Sequence, residues 1–412
     1  MQEQPAYAVG LDVGTTTVRA VVGHIDEAGK PTILGIGEAP NSGMRKGAVV
    51  NIVNTAQAID KALEAAERMS GQHIHSASVS INGPHIVGVS SKGVVAVPGG
   101  HDIEATDLTR AEEAATVMQM PANREILQVS PRSFTLDDQD NIKDPIGMRG
   151  VRLEVNAHVI TTLSPHIRNL EKACEMTQTT PHRLVVAGLA ASKVALSREL
   201  TENGVVLVDI GGSTTSVVVF EEGDLQHIAV LPIGSNNITN DLAIGLRTDI
   251  SVAEDIKLHH ASMLKRDPKE ITIGQGADKL RFSTEDIDMI VDARLEELFE
   301  LVNKELASIG RAAKLPGGVV LSGGGAAMDG IVEYAKDVLH LPARVVKMDG
   351  FSGVADALKQ PAFATAVGLM LADLENTPTV RSEHGGQPGG GVMQVLSNLP
   401  AAMSNLLKRF KS

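Results

Sequence analysis

The feature that most constrains this chain is an apolar strand ending in aspartate, followed at once by a Gly/Ser/Thr turn and a second apolar strand. It occurs twice. The first copy runs Ala8-Val9-Gly10-Leu11-Asp12-Val13-Gly14-Thr15-Thr16-Thr17-Val18-Arg19-Ala20-Val21-Val22. The second runs Val205-Val206-Leu207-Val208-Asp209-Ile210-Gly211-Gly212-Ser213-Thr214-Thr215-Ser216-Val217-Val218-Val219. β-Branched runs flanking glycines that tolerate positive φ predict a tight hairpin at each. Backbone N–H groups crowd together in such a turn, hydroxyls add donors, and an aspartate faces a hydrated Mg²⁺. One copy is an ordinary turn as readily as a site. Two copies predict a duplicated fold with a nucleotide's phosphates held between its halves.

A chain of 412 residues exceeds one simple core and divides into domains. Its hydrophobic and charged fractions, 43% and 21%, are those of a globular protein. With aromatics at 2% and no Trp, the core must be Val, Ile, Leu and Ala on Gly-rich backbone. The lone cysteine, Cys174, rules out an internal disulfide, fits a reducing cytosol and reads as a small buried apolar residue. Met1-Gln2-Glu3-Gln4-Pro5 carries no export-signal pattern, and no apolar run of about 18 residues is present. A net charge of −13 argues against nucleic acid as a partner. The acids stop before Gly385, however, and Lys408, Arg409 and Lys411 give the last segment +3 against −16 on the body.

Helical spacing covers Thr55–Met69, Ala105–Val117, Pro165–Thr177, Asn236–Ile244, Val252–His260, Ser283–Ala307, Met328–Leu339 and Pro361–Leu374. Residues 82–163 read as a separate α/β insert with strands at Ser90–Val97, Ile126–Thr135 and Arg152–Thr162. Glu375–Gly391 has no periodicity and reads as a linker. A third glycine cluster, Ser322-Gly323-Gly324-Gly325-Ala326, follows the expected strand Leu315–Leu321. Bare backbone there suits a flat adenine, or marks a plain strand-to-helix turn. Two small-residue helical segments, Val186–Ala191 and Ala362–Gly368, allow close helix crossing at a hinge, or ordinary Ala-rich packing.

In the last segment Val392, Leu396, Leu399, Met403, Leu406, Leu407 and Phe410 fall on one helical stripe. Ser397, Ser404, Asn405, Lys408 and Lys411 lie largely opposite, and Pro400 falls in an early turn. A Gly/Pro linker and flanking Lys408, Arg409 and Lys411 predict a helix lying in an anionic membrane interface. Each buried apolar side chain adds part of about 1.5–3 kcal/mol. Each cation near anionic lipid adds about 1 kcal/mol, and ordering the tail offsets some of this. One tail should bind reversibly and an array of protomers firmly.

The order of elements (phosphate hairpin, connecting helix, second hairpin, adenosine loop, second connecting helix) resembles that of the actin-like ATPases. Within them it resembles the FtsA family of bacterial cell-division proteins. That likeness rests on Gly43-Met44-Arg45-Lys46-Gly47, Ile142–Leu153, Asn237-Ile238-Thr239-Asn240-Asp241-Leu242-Ala243 and the terminal amphipathic segment. The resemblance implies an α/β, actin-like duplicated fold of two lobes around a nucleotide cleft. Subdomain 1A would comprise 1–81, 164–202 and 361–374, with 82–163 as an inserted 1C. Subdomain 2A would comprise 203–235 and 315–360, with 236–314 as 2B, followed by a linker (375–391) and a membrane helix (392–412).

It further implies ATP and Mg²⁺, with Asp12 and Asp209 at the metal. Gly14, Thr15, Thr16, Thr17, Gly211, Gly212, Ser213 and Thr214 would hold the phosphates, and Gly323, Gly324 and Gly325 would face the adenosine. Glu254 and Lys257 match positions that reach ribose and base, or form a solvated charge pair. The implied partners are a membrane surface, further copies in a filament, and the C-terminal peptide of the tubulin-like division protein FtsZ on 2B. Arg294 is the candidate contact there, or a plain i,i+3 pair with Glu297. Actin orients its attacking water with a glutamine of the first connecting helix, whereas Leu184–Leu196 has neither Gln nor Glu, so slow turnover is expected. A small-molecule kinase shares the hairpins but needs a carboxylate base and no amphipathic tail. A pilus-assembly adaptor shares the insert but is anchored by a membrane partner.

Overall fold

The computed structural model describes residues 7–26, 29–274, 279–354 and 358–375. The membrane-helix expectation at Leu396, Leu399, Met403, Leu406, Leu407, Lys408, Arg409, Phe410 and Lys411 lies outside the described residues. So do residues 376–391 of the expected linker.

Two sheets built to one plan form the lobes. In the first the strand order is Thr180–Val186, Ser76–Ile81, Ala8–Val13, Thr17–Ile25, Pro31–Pro40, with Ser352–Gly353 at the edge. In the second it is Ala343–Val345, Gly318–Ser322, Val205–Ile210, Thr215–Glu221, Asp224–Leu231. Each pairs an antiparallel three-strand meander with parallel strands on the other side of its first strand. Both first strands are near-continuous apolar runs, and Val205–Ile210 is buried at every position. That pattern belongs to a strand covered on both faces. The expected hairpins are therefore present, with Gly14–Thr16 and Gly211–Thr214 as their tips.

Helix bounds follow capping chemistry that periodicity underestimates. Residues Ile52–Ser70 are helical because Asn51 Oδ1 accepts from Asn54 N at 3.0 Å, three residues ahead of the expected start. In the other direction, the strand expected from Leu315 begins at Gly318 and the helix expected from Met328 begins at Ile331. A short 3₁₀ turn, Gly324–Ala327, occupies the interval. Pro361–Phe363 is likewise 3₁₀, and the last helix runs Ala364–Leu374. Glu375, read as the first linker residue, follows this helix directly, and its carboxylate meets Lys193 Nζ at 2.7 and 2.9 Å.

The insert carries its own four-stranded sheet, ordered Val87–Ala96, Arg152–Leu163, Arg124–Leu136, Gln139–Ile142. The helix Ala105–Thr116 covers it, with a separate core of Val97, Ile103, Ala111, Ala115, Phe134, Leu136, Leu153, Val155 and Ala157. The 2B region is helical: Ser235–Gly245, Ile250–His259 and the long Thr284–Ser308 pack around Leu242, Ile256, Leu295, Leu298 and Phe299. A strand pair, Glu270–Ile273 with Leu280–Ser283, completes it.

The two small-residue helices cross where expected. A side chain at Gly368 would lie 1.8 Å from Ala190 O, so the helices Ala187–Ala195 and Ala364–Leu374 touch backbone to backbone. The last helix is fixed at its end by Asp373, whose carboxylate accepts from Val9 N and Ser78 Oγ, both at 2.9 Å. Cys174 is buried, and burial pushes its thiol up to about 12, as an inert core residue requires.

Candidate nucleotide cleft

The two hairpin tips meet across the gap between lobes. A Cβ on Gly212 would lie 2.6 Å from Thr16 Cγ2 and 2.9 Å from Thr16 Oγ1, so only glycine permits this approach. The cleft they enclose is lined by Asp12, Gly14, Thr15, Thr16, Thr17, Asp209, Gly211, Gly212, Thr214, Gly323 and Gly324 of the expected residues. Ser213 and Gly325 do not line it. Ser213 Oγ is buried with no hydrogen-bond partner. A side chain on Gly325 would run into Ile210 Cγ2 at 2.3 Å, so this glycine serves packing under the second hairpin. Gly323 has φ +81°, and its added Cβ would meet Ile210 O at 2.4 Å and Asp209 Oδ1 at 2.9 Å. Gly324, by contrast, faces open space.

Both aspartates are held in the same way. Ser80, on the neighbouring parallel strand, donates to Asp12 Oδ1 at 2.8 Å and accepts from Val13 N at 2.8 Å. Ser322 donates to Asp209 Oδ1 at 2.7 Å, and the two are register partners. Burial raises the pKa of Asp12, against the opposing effects of Ser80 and the Arg19 charge. Burial pushes Asp209 up to about 6, with the facing Asp12 charge adding to the rise. Two buried carboxylates that repel each other are a place where a cation is stabilising. Among the described residues no group of three or more His, Cys, Asp or Glu could ligate a metal. Two carboxylates suit an ion that keeps its water, as Mg²⁺ does.

Among the described residues, Arg19 is the single cationic side chain lining the cleft. It stands opposite Asp12 in the hairpin register, with Nε 3.0 Å from Glu38 Oε2 and its guanidinium carbon 5.4 Å from the Phe363 ring centroid. Asn82, at the end of Ser76–Ile81, bridges the lobes: Nδ2 donates to Thr214 Oγ1 at 3.3 Å, and Ser216 Oγ donates to Oδ1 at 3.4 Å. Sequence reading passed over both. Strand alternation from Asp12 would have aimed Arg19 at the cleft, but nothing local marks Asn82. Ala187, Ser235, Ala362 and Thr365 also line the cleft. The Gly43–Gly47 segment backs the first tip, with Gly47 N donating to Thr15 Oγ1 at 3.2 Å and Asn41 Nδ2 to Gly14 O at 2.9 Å.

Glu254 and Lys257 lie outside the cleft lining, and Arg294 sits on the long helix Thr284–Ser308. Lys257 Nζ is 2.7 Å from Glu254 Oε2 and 3.0 Å from Thr239 Oγ1, which in turn donates to Glu254 Oε2 at 2.6 Å. Neither charged residue lines the cleft. The charge pair exists, but Lys257 is buried rather than solvated. Arg294 grips Asp241 through Nε at 2.5 Å and Nη2 at 3.0 Å, and also pairs with Glu297.

Solved structures of similar fold include proteins of pilus assembly and of the bacterial MreB type. A PilM component of a PilM–PilN type IV pilus biogenesis complex matches with a TM-score of 0.67 at 18% identity, over 90% of this chain and 100% of that one. ADP-bound MreB5 of Spiroplasma citri matches with a TM-score of 0.53 at 14% identity, over 89% and 95%. The fold is that of the actin-like ATPases.

Sequence likeness is narrower. Residues 206–368 match the family model described as cell division protein FtsA, and residues 83–161 match the SHS2 domain inserted in FtsA. The FtsA of Pseudomonas aeruginosa is 36% identical over 372 residues, covering 89% of both chains. That of Bacillus subtilis is 39% identical over 368 residues, covering 88% of this chain and 82% of its own. This chain belongs to the FtsA family of cell-division proteins.

Proposed function

We propose that the cleft binds ATP with hydrated Mg²⁺ and that nucleotide switches self-assembly of a division protein tethering the FtsZ ring to the membrane. The observation that carries this reading is the facing pair of hairpin tips, with one buried carboxylate behind each. Asp12 and Asp209 would hold the hydrated ion, which supplies charge neutralisation for the phosphates. The tips, Arg19 and Asn82 would hold the phosphate oxygens. Gly323 and Gly324 leave bare backbone for the adenosine. Glu254 and Lys257 brace, through Thr239, the helix whose first residue Ser235 lines the cleft. Isothermal calorimetry with ATP, with and without Mg²⁺, tests this; a chain taking up no adenine nucleotide sinks it.

Turnover is slow in this reading, because Ala187 lines the cleft at the start of the connecting helix and has no group to orient water. Rapid, polymer-stimulated phosphate release would overturn that.

Membrane attachment rests on the stripe Leu396, Leu399, Met403, Leu406, Leu407 and Phe410 with its three cations. Among the described residues no helix is long and apolar enough to cross a membrane. Deleting Val392–Ser412 should abolish co-sedimentation with anionic liposomes while leaving ATP binding intact. Equal partitioning of monomers and polymers in the full chain would contradict the coupling of assembly to attachment. For the FtsZ peptide, Arg294 is the proposed 2B contact. An incoming acidic side chain would have to displace or share its grip on Asp241, so Arg294→Ala should weaken peptide binding about tenfold.

A further inference from the structure

The insert is covalently part of the first lobe but grips the second. It leaves the first lobe just after Asn82 and returns into the helix Ser164–Glu175. Its root is pinned, with His85 Nδ1 2.6 Å from Thr162 Oγ1 and Arg124 Nη2 donating to His85 O at 2.8 Å. Its sheet, however, reaches the far turn of the second lobe's meander. Lys143 pairs with Asp224 and donates to Glu222 O at 3.2 Å. Arg132 Nε donates to Leu225 O at 2.9 Å, and Arg132 Nη2 donates to Gln226 O.

That turn joins Asp224–Leu231 to Thr215–Glu221, the strand whose other end carries the second phosphate tip. The seven-residue strand Thr215–Glu221 is a lever of about 20 Å with the tip at one end and the insert's grip at the other. Its near end is held too, since Asn82 bonds Thr214 and Ser216. The returning strand is equally tied to the tip: Thr215 Oγ1 donates to Ile233 O at 2.9 Å, and Ser235 N to Gly211 O at 2.9 Å.

The junction joins apolar and polar contact, with Leu225, Ile228 and Val230 of the returning strand buried in one core with Ile160 of the insert. Beside an apolar contact of Ile228 against Gly88, it borders an open groove of about 510 Å³ lined by Ser91, Lys92, Ser133, Asn156, Asp224 and Gln226 among others. Its polar part, held by a few charged hydrogen bonds, separates at lower cost than its apolar part.

We propose that the insert is a strap between the lobes, fastened at the end of Thr215–Glu221 remote from the cleft. It is carried by the first lobe and clasps the second through Arg132 and Lys143, so that nucleotide-driven movement of the second phosphate tip reorients or releases it. Asn82 is the positioning residue at the near end. The coupling rests on the ATP reading of the cleft; the clasp itself does not.

Hydrogen–deuterium exchange on the full chain separates the two. Without nucleotide, Lys143→Glu should raise exchange in Gln139–Ile142 and in the turn at Glu222 several-fold, and Lys143→Glu with Asp224→Lys should restore it. No rise in the single variant overturns the clasp. With Mg²⁺ and ATP, the wild-type insert strands should change their exchange. In Lys143→Glu they should not, although calorimetry finds its ATP affinity within about threefold of wild type. An insert indifferent to bound ATP in the wild type, or equally responsive in both proteins, overturns the coupling. A wild-type chain that takes up no ATP instead removes the reading of the cleft and the coupling with it, and the nucleotide-free arm still decides the clasp.

Discussion

The two hairpins share strand order, the terminal aspartate and a serine bracing that aspartate from the next strand, yet they differ at the residue opposite it. In the first lobe Asp12 faces Arg19; in the second Asp209 faces Ser216, which donates to Asn82 of the other lobe. One lobe therefore supplies the cleft's cation, and the other supplies the site at which the lobes are stitched together. The carboxylates differ as well, since Asp209 is the more deeply buried and titrates near 6. Duplication preserved the backbone cradle, where alternatives to glycine collide, and let the side chains divide the work.

The sharpest attack on this comparison is Gly212→Val. Its branched side chain would collide with Thr16, so ATP affinity should fall more than 100-fold while the circular-dichroism spectrum stays unchanged. Next, Arg19→Ala should weaken ATP binding about 10–100-fold, from loss of charge-assisted hydrogen bonds of about 1.5–3 kcal/mol. Ser216→Ala, at the matching register position, should change it less than about threefold. Equal losses at the two positions would erase the proposed division of labour.

The aspartates predict opposite pH trends for the empty and loaded protein. The folded pKa of Asp209 lies above that of the unfolded chain, so its neutral form favours folding at low pH. That contribution is lost as pH rises through about 6. Asp209→Asn should thus raise the melting temperature of the nucleotide-free protein at pH 8 by a few degrees. Metal-dependent nucleotide affinity should run the other way, weakening as pH falls from 7 to 5 and protonates Asp209. A modest effect is expected at the other half of the stitch: Asn82→Ala should cost two- to five-fold in affinity, read by calorimetry.

Much of the scaffold was legible in the chain. Apolar strands flanking Gly-rich turns announced both hairpins, and the small residues of Val186–Ala191 and Ala362–Gly368 announced a close helix crossing that Gly368 and Ala190 make. Boundaries were less legible. Asn51 extended one helix by capping, while 3₁₀ turns at Gly324–Ala327 and Pro361–Phe363 shortened two others. Motif matching put Gly325, Glu254 and Lys257 beside a ligand, but Gly325 packs on Ile210, and Lys257 turns inward to Thr239 while Glu254 stays partly exposed. A motif records residue type and order; it does not record which way a helix faces once neighbours compete for its charges.

The chain alone determined what is local: where backbone must be bare, where a carboxylate must stand near the end of a strand, and that the pattern repeats. Steric exclusion at glycine and the period of side chains along a strand act over a few residues, so they are written in neighbouring letters. Only the tertiary structure decided which distant groups meet. The approach of Thr16 to Gly212, the reach of Asn82 to Thr214 and the clasp of Lys143 on Asp224 each span about 80 residues or more. Such pairings depend on how whole sheets dock, because packing and desolvation, rather than chain proximity, set their free energy.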